Sequence, residues 1–100
     1  MQPTVFSGVD DSMTIAKEEI FGPVMSILKW SEEDDVIERA NALPYGLGAG
    51  VVTKNIDTAF KFAKKLKAGT VYVNCYDYTE GPTPFGGYKD SGIGKDLGDE

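Results

Sequence analysis

The chain is 100 residues long, carries a net charge of −6 and has one cysteine and no histidine. That length allows one domain, burying roughly 60–65% of its unfolded surface, and the acidity argues against a nucleic-acid or anionic-membrane partner. The missing histidine removes the commonest general base and metal ligand, so no metal site is expected; a lone cysteine excludes an internal disulfide and fits a reducing, cytoplasmic compartment.

No apolar run is long enough to span a bilayer, and Met1 to Asp10 lacks a signal-peptide pattern. Pro3 to Phe6 is a short β-prone piece, and Gly8-Val9-Asp10-Asp11-Ser12 is a turn by composition. Met13 to Glu19 fits a turn or two of helix. Val24 to Trp30 reads as a strand apolar on both faces, which suits an interior position. Ser31 then has the character of a helix N-cap, with Asp34 three residues on and acids from Glu32 to Asp35 suiting the dipole. Val36, Ile37, Ala40 and Leu43 recur at helical spacing, and Pro44 ends that helix.

Leu47 to Thr53 is expected as a second strand. Its small residues Gly48, Ala49 and Gly50 leave room for close approach of a helix or a ligand. A second helix follows, capped by Asn55 or Asp57, with Ala59, Phe60, Phe62, Ala63 and Leu66 as its apolar face and Gly69 as its C′ residue. Thr70 to Asn74 is the third strand. Strand, helix, strand, helix, strand implies right-handed crossovers and an α/β architecture with a parallel sheet. Such a sheet would have open edges and look like half of a larger one. Ligands in parallel sheets gather beyond the carboxyl ends of the strands, here Trp30, Thr53 and Asn74.

Two stretches are denser than connectors need to be. In Ala16-Lys17-Glu18-Glu19-Ile20-Phe21-Gly22-Pro23, the Gly-Pro pair stiffens the chain and fixes Glu19 and Phe21 relative to the next strand. A carboxylate held so can accept hydrogen bonds from a sugar diol, and the phenyl can cover a flat ring. The alternative is a solvated helix end with Phe21 in the core. In the tail, glycines 86, 87, 92 and 94 mark an irregular loop, and aromatics 76, 78, 85 and 88 either line an apolar pocket or plug the sheet end. Gly92-Ile93-Gly94 follows no strand, so it is no evidence for a dinucleotide phosphate loop. Cys75 is the only candidate thiol nucleophile, but no histidine stands by to activate it, and such a cysteine is more often a small buried hydrophobe.

Taken in order, Pro3 to Phe6, Ala16 to Val24, Tyr45-Gly46-Leu47, Ala68 to Asn74 and Pro84 to Gly92 resemble the aldehyde dehydrogenase superfamily across essentially the whole chain. Asn74-Cys75-Tyr76-Asp77 is most similar to its class 1 and class 2 enzymes. The resemblance implies a parallel βαβαβ three-layer fragment, residues 1–100 forming the C-terminal half of a catalytic domain. It implies oxidation of aldehydes to carboxylic acids with NAD or NADP, by thiolate attack, hydride transfer and hydrolysis by a glutamate-activated water.

By that resemblance Glu19 would hydrogen-bond the ribose next to the nicotinamide and Phe21 would pack against the nicotinamide end. Asp77, Thr79 and Phe85 would border the aldehyde pocket, Thr79 standing where close relatives carry an aromatic. The family's nucleophile, base and oxyanion asparagine, together with the dinucleotide-binding domain, are expected upstream of Met1, and its oligomerising strand beyond Glu100. Cys75 and Asn74 would then be neither nucleophile nor oxyanion donor, no catalytic residue is assigned, and the chain alone is expected to be inactive. Two further functions compete with the enzyme piece. One is an interaction module that self-associates, or binds intact subunits, through open sheet edges. The other is a small thiol enzyme built on Cys75. The parent enzyme is expected in the cytoplasm or the mitochondrial matrix.

Overall fold

Short two-stranded ladders set the architecture among the described residues. The structure is a computed structural model and describes residues 1–98. Its strands are β1 (Thr4–Phe6), β2 (Val24–Ser26), β3 (Tyr45–Gly46), β4 (Gly48–Val51), β5 (Thr70–Val73) and β6 (Tyr88–Lys89). Its helices are α1 (Thr14–Lys17), α2 (Glu33–Asn41) and α3 (Ile56–Lys65). The chain divides into two compact units, Met1–Arg39 and Ala40–Glu100.

In the first unit β1 and β2 run parallel, with Thr4 opposite Val24 and Phe6 opposite Ser26. Past the last strand residue the pairing goes on: Ile27 N–H donates to Phe6 O at 2.8 Å and Val9 N–H to Ile27 O at 3.3 Å. Val9 is buried, and so is Ile37 on α2. Arg39 ties the loops together, donating from Nε to Asp11 at 2.6 Å and from Nη1 to Asp35 at 3.2 Å and Lys29 O at 3.1 Å.

In the second unit β4 and β5 are parallel, Gly48 opposite Thr70 and Val51 opposite Val73, joined by a crossover through α3. Helix α3 buries Ala59 and Phe62, and Tyr72 of β5 is the third buried apolar residue of this unit. The helix starts at Asn55, whose side chain accepts from Asp57 N–H and Thr58 N–H, so two of the amide donors orphaned at a helix start are satisfied. A small antiparallel pair, β3 with β6, closes the tail back onto the unit.

The α/β class holds, but the expected three-layer βαβαβ sheet does not form. Among the described residues there are three two-stranded sheets, β1–β2, β3–β6 and β4–β5. The reason is local. The Val24–Trp30 run is strand only to Ser26 and its ladder is with β1, while β4 takes β5 as its partner.

Several element ends also differ. Helix α2 begins at Glu33, with Glu32 O accepting from Val36 N–H, so Ser31 lies outside the cap, and the helix ends two residues short of Leu43. Phe60 points away from the core at 58% exposure. Gly69 is not a C′ residue, since α3 ends at Lys65 with Leu66 as its C-cap. A Cβ on Gly69 would collide with the carbonyl of Gly86. Glycine is required there by the crossing of two backbones, not by a left-handed turn.

Candidate functional site

Phe21 lies on a turn built from two consecutive three-residue bends, and Glu19 directly precedes the turn. Gly22 N–H donates to Ile20 O at 2.9 Å, closing a bend centred on Phe21, and Val24 N–H donates to Gly22 O at 2.8 Å, closing one centred on Pro23. Bonds two residues apart define γ-turns, and the fixed φ of proline is close to what the inverse form needs. Thr4 N–H donates to Pro23 O at 2.9 Å, which fastens the turn to β1. The turn therefore enters β2 at the amino end of the β1–β2 ladder, not at the carboxyl end where sequence reasoning looked for a ligand.

Both side chains are unspent. Phe21 is 94% exposed, and Glu19 is exposed with no hydrogen bond or ion pair among the described residues. The alternative that placed Phe21 in the core is thus excluded for this chain. A free carboxylate beside an unpacked phenyl suits a ligand that offers a diol and a flat ring.

The remaining candidates belong to the second unit. Strand β5 ends at Val73, and Asn74 follows with φ +56°, a left-handed conformation that asparagine tolerates better than most residues. Asn74 N–H donates to Val51 O at 2.9 Å. Its side-chain Oδ1 accepts from Thr53 N–H at 2.8 Å, and its Nδ2 donates to Thr53 O at 3.0 Å. The side chain of Asn74 thus pairs with the backbone of the neighbouring segment as another strand would.

Tyr76 then folds back over β4, its ring carbons 3.1 and 3.2 Å from where a Cβ on Gly50 would stand, and its ring centroid 5.1 Å from that of Tyr72. What comes close to Gly50 is therefore an aromatic ring. Asp77 is exposed, again with positive φ.

Thr79 and Phe85 share the lining of a small cavity of about 20 Å³ with Thr70, Tyr72, Tyr78 and Leu97; Asp77 does not reach it. Phe85 is half-buried and held by reciprocal backbone bonds with Asp96, both 2.7 Å. The Tyr78 hydroxyl donates to Glu80 Oε1 at 2.7 Å, and that bond raises its pKa above the ordinary phenol value, with burial adding in the same direction. Of the tail aromatics, Tyr76 and Tyr78 are 69% and 65% exposed, so they do not plug the sheet end. Tyr88 carries the Lys95 ammonium 5.2 Å above its ring.

Cys75 is exposed and makes no hydrogen bond or ion pair among the described residues, so no base stands ready to activate it. Gly92-Ile93-Gly94 lies in a loop, and no helix follows it among the described residues. No cluster of three metal-ligating side chains occurs among them either.

Sequence reasoning missed two devices here. The bidentate role of Asn74 was signalled only by an asparagine directly after a strand. The other is a staple on the α2 and α3 ends. Asn41 donates to Lys65 O and accepts from Lys67 N–H, both at 2.8 Å, while Lys89 Nζ donates to Asn41 O and Leu43 O, also at 2.8 Å.

Comparison with known proteins agrees along the whole length. The family model described as "Aldehyde dehydrogenase family" matches residues 1–100. Aldehyde dehydrogenase family 2 member B4, mitochondrial, of Arabidopsis thaliana is 61% identical over 98 residues, which is 98% of this chain and 18% of that protein. Human aldehyde dehydrogenase 1A1 is 59% identical over 99 residues, 99% of this chain and 20% of that protein. Among solved structures, the NAD+ complex of an aldehyde dehydrogenase from Bacillus cereus superposes with a TM-score of 0.94 at 58% identity, covering 97% of this chain and 20% of that one. A mutant of P. syringae indole-3-acetaldehyde dehydrogenase in complex with NAD+ and IAA gives 0.93 at 49%, covering 96% and 19%. The chain thus spans about a fifth of the length of the relatives it matches.

Proposed function

Since the chain belongs to the aldehyde dehydrogenase family, we propose that it supplies one wall of a cleft in which an aldehyde is oxidised to a carboxylic acid. Glu19 accepts hydrogen bonds from the ribose next to the nicotinamide, and Phe21 packs against the nicotinamide end. Asp77, Thr79 and Phe85 border the aldehyde pocket. The observation that carries this reading is the unspent carboxylate just before, and the exposed phenyl on, a turn bonded to the β1–β2 ladder. It is supported by the likeness to a structure solved with NAD+.

Bound NAD or NADP supplies the hydride acceptor. The chain's own part is to bind and orient. A carboxylate accepting from both hydroxyls of a ribose fixes the sugar's rotation, and an aromatic face limits the travel of the nicotinamide ring. The extra phosphate of NADP sits on the other ribose, so Glu19 does not discriminate between the two cofactors. Thr79 offers a small polar side chain at the border it shares with Phe85.

These residues comprise part of a catalytic domain, and by themselves they do not turn over aldehyde, because the nucleophile and the oxyanion donors are not among them. The test is an NMR titration of the chain with NAD. Binding of about millimolar strength or weaker is expected, with resonances of Glu19 to Gly22 moving and Glu19→Ala abolishing the shifts. Micromolar affinity, NAD reduction by the chain with an aldehyde, or shifts confined to other residues would refute the reading.

A second reading rests on its own observation. Val52 and Ile56 are 88% and 66% exposed, and β4–β5 is a two-stranded sheet with open edges. Such a face suits self-association or docking on a larger subunit of the same family. The names of two relatives place those proteins in mitochondria; a mitochondrial or cytoplasmic site for the parent enzyme follows the same reading.

A further inference from the structure

The pocket-border loop begins where β5 ends, and its direction is fixed by one residue. From the bidentate amide and the left-handed backbone, we infer that Asn74 is a positioning residue for that loop: its side chain serves as one more rung of the β4–β5 ladder and thereby aims Tyr76, Asp77 and Thr79. The inference deepens the proposed function and rests on it only for what the loop borders.

The geometry leaves Asn74 little other role. A backbone turning at φ +56° can no longer extend the ladder, so the amide and carbonyl of Thr53 would lose their strand partner at this point. The primary amide restores both bonds, accepting at 2.8 Å and donating at 3.0 Å. A peptide group offers the same donor and acceptor on two separate atoms, which is why asparagine fits and an ionised carboxylate, with acceptors only, or a hydroxyl, with a single atom, does not. Once the rung is made, Tyr76 is delivered onto Gly50 and against Tyr72. Asp77, three residues on and also left-handed, turns the chain again. The Asn74 rung and the seat of Tyr76 on glycine fix the start of the loop at two points.

The role predicts a pH signature in one variant. In Asn74→Asp the ionised carboxylate accepts from Thr53 N–H but repels Thr53 O. The protonated acid has one acceptor and one donor, as the amide has, and so restores both bonds. Amide exchange of the full chain, corrected for intrinsic rates and followed by NMR, provides the test. In Asn74→Gly, which keeps the backbone conformation easy, protection at Thr53 falls at least tenfold, ring contacts between Tyr76 and Gly50 disappear, and resonances of Asp77 to Thr79 shift. The other β4–β5 rungs keep their protection.

In Asn74→Asp at neutral pH Thr53 N–H keeps an acceptor and its protection, while the lost bond to Thr53 O shifts the resonances of Asp77 to Thr79, and those shifts reverse as the new carboxyl is protonated. Two results would overturn the inference. One is loss of Thr53 protection with Asp77 to Thr79 unmoved, which makes the amide a local cap. The other is uniform loss across the ladder without acid rescue, which makes it a general stabiliser. No aldehyde or cofactor enters these measurements, so a failure of the pocket reading would show separately, in the NAD titration.

Discussion

Gly69 shows how a single hydrogen can hold a tail in place. A Cβ at this position meets the carbonyl of Gly86 and the backbone of Gly87, atoms that cannot step aside. Gly69→Ala is therefore expected to cost about 3 kcal/mol, the upper part of the usual overpacking range, read as a lower denaturation midpoint at unchanged slope. Gly81→Ala, with nothing within 4 Å of its Cβ, is the matched control and should be near neutral.

Tyr78 carries a pH prediction. Its hydroxyl donates to Glu80, and the bond raises the phenol pKa. A raised folded-state pKa means a contribution present below the ordinary phenol value of about 10 and lost as pH rises through the folded-state value. Tyrosinate absorbance should show the Tyr78 phenol titrating above the ordinary value, and Glu80→Ala should return it toward that value.

At the scale of elements, helix α3 and the β4–β5 pair were legible, because their signals are local. Asn55 before an amphipathic run, with apolar residues at helical spacing, describes a helix whatever surrounds it. The cap prediction follows directly. Asn55→Ala removes the acceptor for Asp57 and Thr58 N–H and should lower stability by about 1 kcal/mol, whereas Asn55→Ser should cost only a fraction of that. Thermal or urea unfolding followed by circular dichroism checks both.

Strand partnership was not legible. Apolar character from Val24 onward says that the segment is wanted inside something, but not which strand lies beside it. In the structure Met25 and Ile27 are 59% and 44% exposed, so the apolar run was mistaken for evidence of a shared sheet. The Phe21 turn was legible as stiff, from Gly22-Pro23. Its attachment to Thr4 was not, because it depends on a strand some twenty residues earlier in the chain.

For the whole molecule, the exposed apolar residues of both units set the expectation for solution behaviour. Light scattering should find mass above that of the monomer at high concentration, and Val52→Lys with Ile56→Lys should return the chain to a monomer. A monomer at all concentrations would remove the self-association reading.

The division into Met1–Arg39 and Ala40–Glu100 has another consequence. The groups proposed to grip the nucleotide, Glu19 and Phe21, and those proposed to border the substrate, Asp77, Thr79 and Phe85, are inherited on different stretches of polypeptide, each tied down by its own bonds. Drift in one stretch leaves the other's local scaffold intact. Under the proposed function, substitutions in the tail alter the aldehyde accepted and leave the grip on the coenzyme untouched.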